Sequence, residues 1–316
     1  MLTSFATLTP LTPVTPSHKS VYSSPQPTEL AATPSFLYKY RVIQPAVPLV
    51  QTFDIDASFK YEVGGMADFI FQIHVHDGMD QQILSESLVS TPEIERRISI
   101  DRTFGHRMLR MQAQSGPVDL HYRARVKRTT QPLDLNAREM PIDELPDEIL
   151  HDLYPTRFCE SDELSKIAQE MFGQLPKGLS RVQAITDWIH NNIAYQIGTS
   201  HAMTTARDTL ANRTGVCRDF AHLGVTFCRA LNIPARFVVG YAWFEDPPPD
   251  FHAVFEAYLG GRWVMFDPTY MSPIDNLVRI ATGSDAKDVA FATIYGPATM
   301  TFMAPFLTQV GLPEVS

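Results

Sequence analysis

The spacing of apolar and polar positions changes character along this chain, and each change marks a boundary. From about Phe53 to Lys127 the runs are short and alternating, as in Phe59-Lys60-Tyr61-Glu62-Val63, Phe69-Ile70-Phe71-Gln72-Ile73-His74-Val75 and Leu120-His121-Tyr122-Arg123-Ala124-Arg125-Val126. Turn residues separate them at Gly64-Gly65, Asp77-Gly78 and Ser115-Gly116-Pro117. A period of two with no competing helical period predicts a small antiparallel β-sandwich.

After Pro146 the period becomes helical. Leu164, Ile167, Ala168, Met171 and Phe172 form one apolar stripe, with Ser161 and Asp162 as expected caps and Gly173 as the stop. A second stripe from about Ser180 carries Val182, Ile185, Trp188, Ile189 and Ile193. Thr205-Ala206-Arg207-Asp208 has the spacing of a capping box and predicts a short helix ending before Gly215. Another helix begins at Cys217, and its cysteine face reads Ala221, Gly224, Val225 and Cys228, small enough to approach a sheet closely. Asn232 suits a left-handed terminal position and Pro234 prevents continuation. Ala235 to Phe244 then reads as a buried strand. Two alternating segments flank Gly260-Gly261, a hairpin signal.

These patterns give an α+β protein divided into a tail (1–50), a sandwich (51–132) and a second domain (133–316). The tail repeats Thr-Pro and Ser without enough apolar residues to form a core, so it is expected to be disordered. The C-terminal apolar residues Phe302, Met303, Phe306 and Leu307 have two possible destinations, the first domain or a second subunit.

Composition narrows the function. The 316-residue chain carries a formal net charge of -9, which disfavours nucleic acid or an anionic membrane as partner. No run reaches the ~18 consecutive apolar residues of a membrane span. Three cysteines make no disulfide framework, and Cys228 lies a helical rise of roughly 16 Å beyond Cys217, too far to pair. A reducing, cytoplasmic setting is the expectation. His74 and His76 share a strand face, but without a third ligand in register they are read as packing or surface residues, and no metal or cofactor is expected.

The candidate chemistry lies in the second domain. Cys217 follows a glycine turn and opens a helix, where the backbone dipole and unpaired N–H groups favour thiolate. Counting outward from Gly260-Gly261, Leu259 faces Arg262, Tyr258 faces Trp263, Glu256 faces Met265 and Val254 faces Asp267. His252 then becomes the diagonal neighbour of Asp267, roughly 7 Å or less between Cβ atoms. Taken singly, each residue has an ordinary structural reading: a buried thiol, a local polar contact, a turn former. Together they have the order and register of a nucleophile, a base and an orienter. Arg218 and Asp219 read as local structural partners, Asp219 at the helix start.

The run Arg213-Thr214-Gly215-Val216-Cys217-Arg218-Asp219-Phe220, with Asn232-Ile233-Pro234-Ala235-Arg236, Gly240-Tyr241, Phe251-His252-Ala253-Val254-Phe255-Glu256 and Phe266-Asp267-Pro268-Thr269, resembles the bacterial and archaeal transglutaminase-like family. The resemblance covers about Leu145 to Gly296, and the preceding strands resemble the N-terminal domain that often accompanies it. It implies a papain-like core with Cys217 as nucleophile, His252 as general base and Asp267 as orienter, acting on the amide bonds of a peptide or protein. Many members are regarded as hydrolases, which makes a cysteine peptidase or amidase the leading expectation. A cross-linking amine transferase and a non-catalytic peptide-binding module are the alternatives.

Cys217 N–H would supply one oxyanion donor, and Tyr195 or Gln196 a second by chain order. Cross-linking relatives use an upstream aromatic donor, which favours Tyr195. The acidic loop Glu245-Asp246-Pro247-Pro248-Pro249-Asp250 is either an ordinary solvated connection or a rim on which Asp246 and Asp250 favour basic substrates.

Overall fold

A computed structural model describes residues 48–78, 80–244 and 250–311. The expected tail, apart from its last three residues, and Asp246 of the acidic loop lie outside the described residues.

The first half of the chain supplies six strands: β1 (Leu49–Val63), β2 (Ala67–Phe71), β3 (Gln81–Thr91), β4 (Arg96–Ile100), β5 (Arg107–Ala113) and β6 (Gly116–Thr130). In β1 and β6 alternate residues are buried, among them Phe53, Ile55, Ala57, Phe59 and Tyr61 facing Val118, Leu120, Tyr122 and Val126. The expected strand through Val75 ends at Phe71. Beyond it His74 is buried edge-on against the Tyr122 ring, 4.9 Å between centroids. Its imidazole is lowered by burial to about 4, so it packs as a neutral ring.

The second half contributes α1 (Ser165–Phe172), α2 (Leu179–Asn192), β7 (Ala194–Tyr195), α3 (Ala206–Asn212), β8 (Thr214–Gly215) and α4 (Cys217–Ala230). A sheet follows from β9 (Ala235–Tyr241), β10 (Phe251–Leu259), β11 (Arg262–Phe266) and β12 (Val278–Gly283), in the order β11-β10-β9-β12. Thr205 and Asp208 cap α3 reciprocally, and Asn232 is left-handed at φ 61°, both as the sequence predicts. The expected caps Ser161 and Asp162 do not cap α1: the helix starts at Ser165 behind Leu164, and Ser161 is buried in the preceding turn.

Helix α4 packs on β10 through Gly224. A Cβ at that position would lie 2.5 Å from the Phe255 ring, so only glycine lets the helix settle onto the sheet. The small-residue face predicted from sequence serves this approach.

Strands β13 (Ala292–Tyr295) and β14 (Ala298–Gln309) leave the second domain and return to the first. They complete the sandwich as two four-stranded sheets, β14-β1-β6-β3 and β13-β2-β5-β4. The division expected at residue 132, with everything beyond it in one domain, therefore omits this return. Its physical reason is alternation: Met303, Pro305 and Leu307 oppose the buried Phe59, Ala57 and Ile55 across β1, extending the core, while Phe302 and Phe306 stay exposed. No helix of the described residues is long and apolar enough to cross a membrane.

Candidate active site

Local structure delivers each side chain of the site. Gly215 has no room for a side chain, because a Cβ there would lie 2.7 Å from that of Asp219. That space lets Asp219 fold back over the start of α4, where it accepts the Val216 N–H at 2.9 Å and the Ser200 hydroxyl at 2.9 Å. Asp219 is fully buried, and desolvation raises its pKa against these hydrogen bonds. It stabilises the helix start, as expected, and fixes the turn that presents Cys217 as the first helical residue.

The other two cysteines are fully buried, and burial pushes the Cys159 thiol up to about 12 and Cys228 higher still. Cys217 is the partly exposed one, and all three are free thiols.

The hairpin register is the one counted from the sequence: Leu259 pairs with Arg262, Tyr258 with Trp263 and Glu256 with Met265. The ladder closes at Phe255 and Phe266, leaving Asp267 one residue past the strand. His252 Nε2 donates to Asp267 Oδ2 at 2.8 Å, both residues being buried. An ionised carboxylate only accepts, so the Nε2 proton is fixed and Nδ1 is the nitrogen left for chemistry.

Nδ1 has no hydrogen-bond partner among the described residues, and the Cys217 thiol lies beside this ring. Burial alone would lower the His252 pKa. The Asp267 carboxylate, first by charge and then by hydrogen bond, together with the neighbouring sulfur, outweighs burial and raises it to about 10. Phe244 closes one side, its ring perpendicular to the imidazole at 5.1 Å.

Asp267 is itself held. Its Oδ1 accepts from Thr269 N–H at 2.9 Å and Thr269 Oγ1 at 2.7 Å. Tyr270, left-handed at φ 53°, ties the same turn to α2 by donating to Asp187 and accepting from Gln183. Sequence reasoning passed over Thr269 and Tyr270. The signal for Thr269 was present, since an Asp two residues before a Thr across a proline is a local Asx-turn pattern. The Tyr270 contact spans more than eighty residues of chain and has no local signature.

Of the two oxyanion candidates, the structure brings Tyr195 to the cysteine. Strand β7 runs parallel to β8 with Tyr195 beside Gly215, two residues before Cys217. Tyr195 lies close to Cys217, and desolvation, reinforced by that neighbour, raises the phenol well above its usual range. Gln196 spends its N–H on the Gly215 carbonyl at 2.9 Å and is exposed. Asp250 accepts the Phe251 N–H at 2.7 Å and is near enough to influence His252 and Tyr195 electrostatically.

Residues 165–268 match the transglutaminase-like superfamily, and residues 51–147 match the bacterial transglutaminase N-terminal domain. A crystal structure of a candidate cysteine protease from Cytophaga hutchinsonii is 40% identical, covers 84% of this chain and 94% of its own, and superposes with a TM-score of 0.80.

This chain belongs to the transglutaminase-like superfamily.

The matched core spans Cys217, His252 and Asp267, and the fold is the papain-like α+β arrangement of its relatives. An uncharacterized protein of Mycobacterium leprae is 33% identical over 120 residues, covering 34% of this chain and 42% of that protein. One from Mycobacterium tuberculosis is 30% identical over 116 residues, 32% of this chain and 37% of its own length. The chain thus spans well under half the length of these curated relatives.

Proposed function

We propose that this transglutaminase-like protein is a thiol-dependent acyl-transfer enzyme that hydrolyses amide bonds of peptides or proteins through a thioacyl intermediate at Cys217. The observation that carries the reading is the buried His252–Asp267 pair, with Nε2 fixed at 2.8 Å and Nδ1 left toward the only partly exposed thiol among the described residues.

In this reading the raised pKa of His252 keeps the imidazole protonated at neutral pH, opposite a thiolate at the positive end of α4. The sulfur attacks the amide carbon, forming the C–S bond, and the carbonyl electrons move to oxygen. Cys217 N–H, at the first residue of α4, and the Tyr195 hydroxyl would receive that oxyanion. His252 Nδ1–H then protonates the departing amine as the C–N bond breaks. Water, deprotonated by the now neutral Nδ1, attacks the thioester carbon; the C–S bond breaks, releasing the acid and restoring the thiolate and the imidazolium. Asp267 orients the ring and stabilises its positive charge without taking the proton. We place this chemistry in a reducing compartment, where three unpaired cysteines remain thiols.

The test is an activity-based thiol probe screened in competition with peptide amides, with Cys217→Ala as control. Selective labelling that peptide amides suppress supports the reading, and labelling undiminished in Cys217→Ala refutes it. Adding a primary amine during turnover separates acyl transfer from hydrolysis by the mass of the product.

A further inference from the structure

Thr269 is buried, and its N–H and hydroxyl are both bonded within this turn. Its hydroxyl accepts the Met271 N–H at 3.2 Å, which leaves the single hydroxyl proton directed at Asp267 Oδ1, 2.7 Å away. Its N–H meets the same oxygen at 2.9 Å. One carboxylate oxygen is therefore committed to two donors from one residue, and the other to His252 Nε2.

This division has a chemical consequence. A carboxylate held only by its histidine can rotate about its own bond and exchange oxygens, carrying the imidazole with it. Two fixed donors on Oδ1 prevent that rotation and hold Oδ2 on the ring. They also discriminate between groups that could stand at position 267. Both donors require an acceptor, so a carboxamide there would place its oxygen toward Thr269 and its NH2 toward His252, the orientation that moves the ring proton to Nδ1.

We infer that Thr269 is a positioning residue of the reaction, acting through Asp267 to fix both the orientation and the tautomer of His252. This inference rests on the reading of Cys217, His252 and Asp267 given above.

The experiment measures the rate of iodoacetamide alkylation of Cys217 in the full chain, with the imidazole N–H proton of His252 followed by NMR in the same variants. Thr269→Val is expected to slow alkylation about tenfold and to broaden or shift the N–H signal upfield, with Thr269→Ser within about twofold of wild type. On an Asp267→Asn background, Thr269→Val is expected to add no further loss, because its effect passes through the carboxylate. If Thr269→Val does not fold, Thr269→Ala gives the same comparison.

Alkylation of Thr269→Val at the wild-type rate with an unmoved N–H signal overturns the inference. So does a Thr269→Ser loss as large as that of Val, or a full additive loss on the Asp267→Asn background. Failure of the underlying reading has its own signature: wild-type Cys217 reacts no faster than in the unfolded chain, although the N–H signal still responds to Thr269. In that event Thr269 orders a pair that does not act on the thiol, and its proposed part in the reaction fails too.

Discussion

Replacing Asp267 with Asn tests the site at its most exposed assumption, that the carboxylate sets both the charge and the proton position of His252. The change is nearly isosteric, and the two Thr269 donors force the amide oxygen toward themselves, leaving NH2 against Nε2. His252 then loses its counter-charge and carries its proton on Nδ1, where it can no longer accept one from the thiol. Its pKa in the native protein is about 10 against an ordinary 6.5, an interval of 10 − 6.5 = 3.5 units. At 1.36 kcal/mol per unit this is about 5 kcal/mol in favour of the imidazolium. Asp267 is the charge that most opposes the burial of this imidazolium, so its loss is expected to slow Cys217 alkylation roughly ten- to a hundred-fold. The assay is the rate of Cys217 carbamidomethylation at neutral pH by mass spectrometry, with circular dichroism confirming the fold. The buried Cys159 and Cys228 serve as internal controls that remain unlabelled. An Asp267→Asn protein that folds and labels within about threefold of wild type would falsify the assignment of Asp267 as orienter.

Three further outcomes follow from other parts of the molecule. Burial alone would raise the Glu256 pKa, but Arg279 and Arg236, bonded at 2.6 and 2.7 Å, hold it down to about 2 from 4.5. A depressed carboxylate stabilises the fold above its unfolded pKa, so about 3 kcal/mol is expected to disappear as pH falls from 4.5 toward 2 in urea titrations, a dependence that Glu256→Gln should remove. Gly215→Ala should cost about 1–3 kcal/mol and slow Cys217 labelling, because the new methyl displaces Asp219 from the helix start; unchanged thermal unfolding and labelling would contradict this. Phe59 of the sandwich stacks on Phe251 at 5.9 Å, next to His252, so Phe59→Ala should cost about 3–5 kcal/mol and lower kcat in the fraction that remains folded, and an unaltered kcat would show that the stack is stabilising only.

Much of this protein was written locally. Sandwich strands, the capped helix at Thr205 and the left-handed Asn232 each depend on residues a few positions apart, so period and turn chemistry predict them. The hairpin register belongs to the same class. A two-glycine loop fixes which residues face one another, and the His252–Asp267 hydrogen bond follows from that count alone. The boundaries were less legible: the strand expected to reach Val75 stops at Phe71, and α1 begins after its expected caps.

Tertiary structure decided what depends on distant partners. That β14 closes the sandwich against β1 depends on a strand far away in the chain: the alternation through Met303, Pro305 and Leu307 marks a half-buried strand but does not name its partner. That Tyr195 rather than Gln196 meets Cys217 is set by a parallel pairing with Gly215 across an intervening helix. Tyr270 reaches Asp187 only because α2 packs nearby. The sequence by itself determined the candidate triad of Cys217, His252 and Asp267 and how the last two pair, since those depend on short-range geometry. Only the fold decided that the thiol stands near the His252 ring, because the two lie on a helix and a strand whose close approach Gly224 permits.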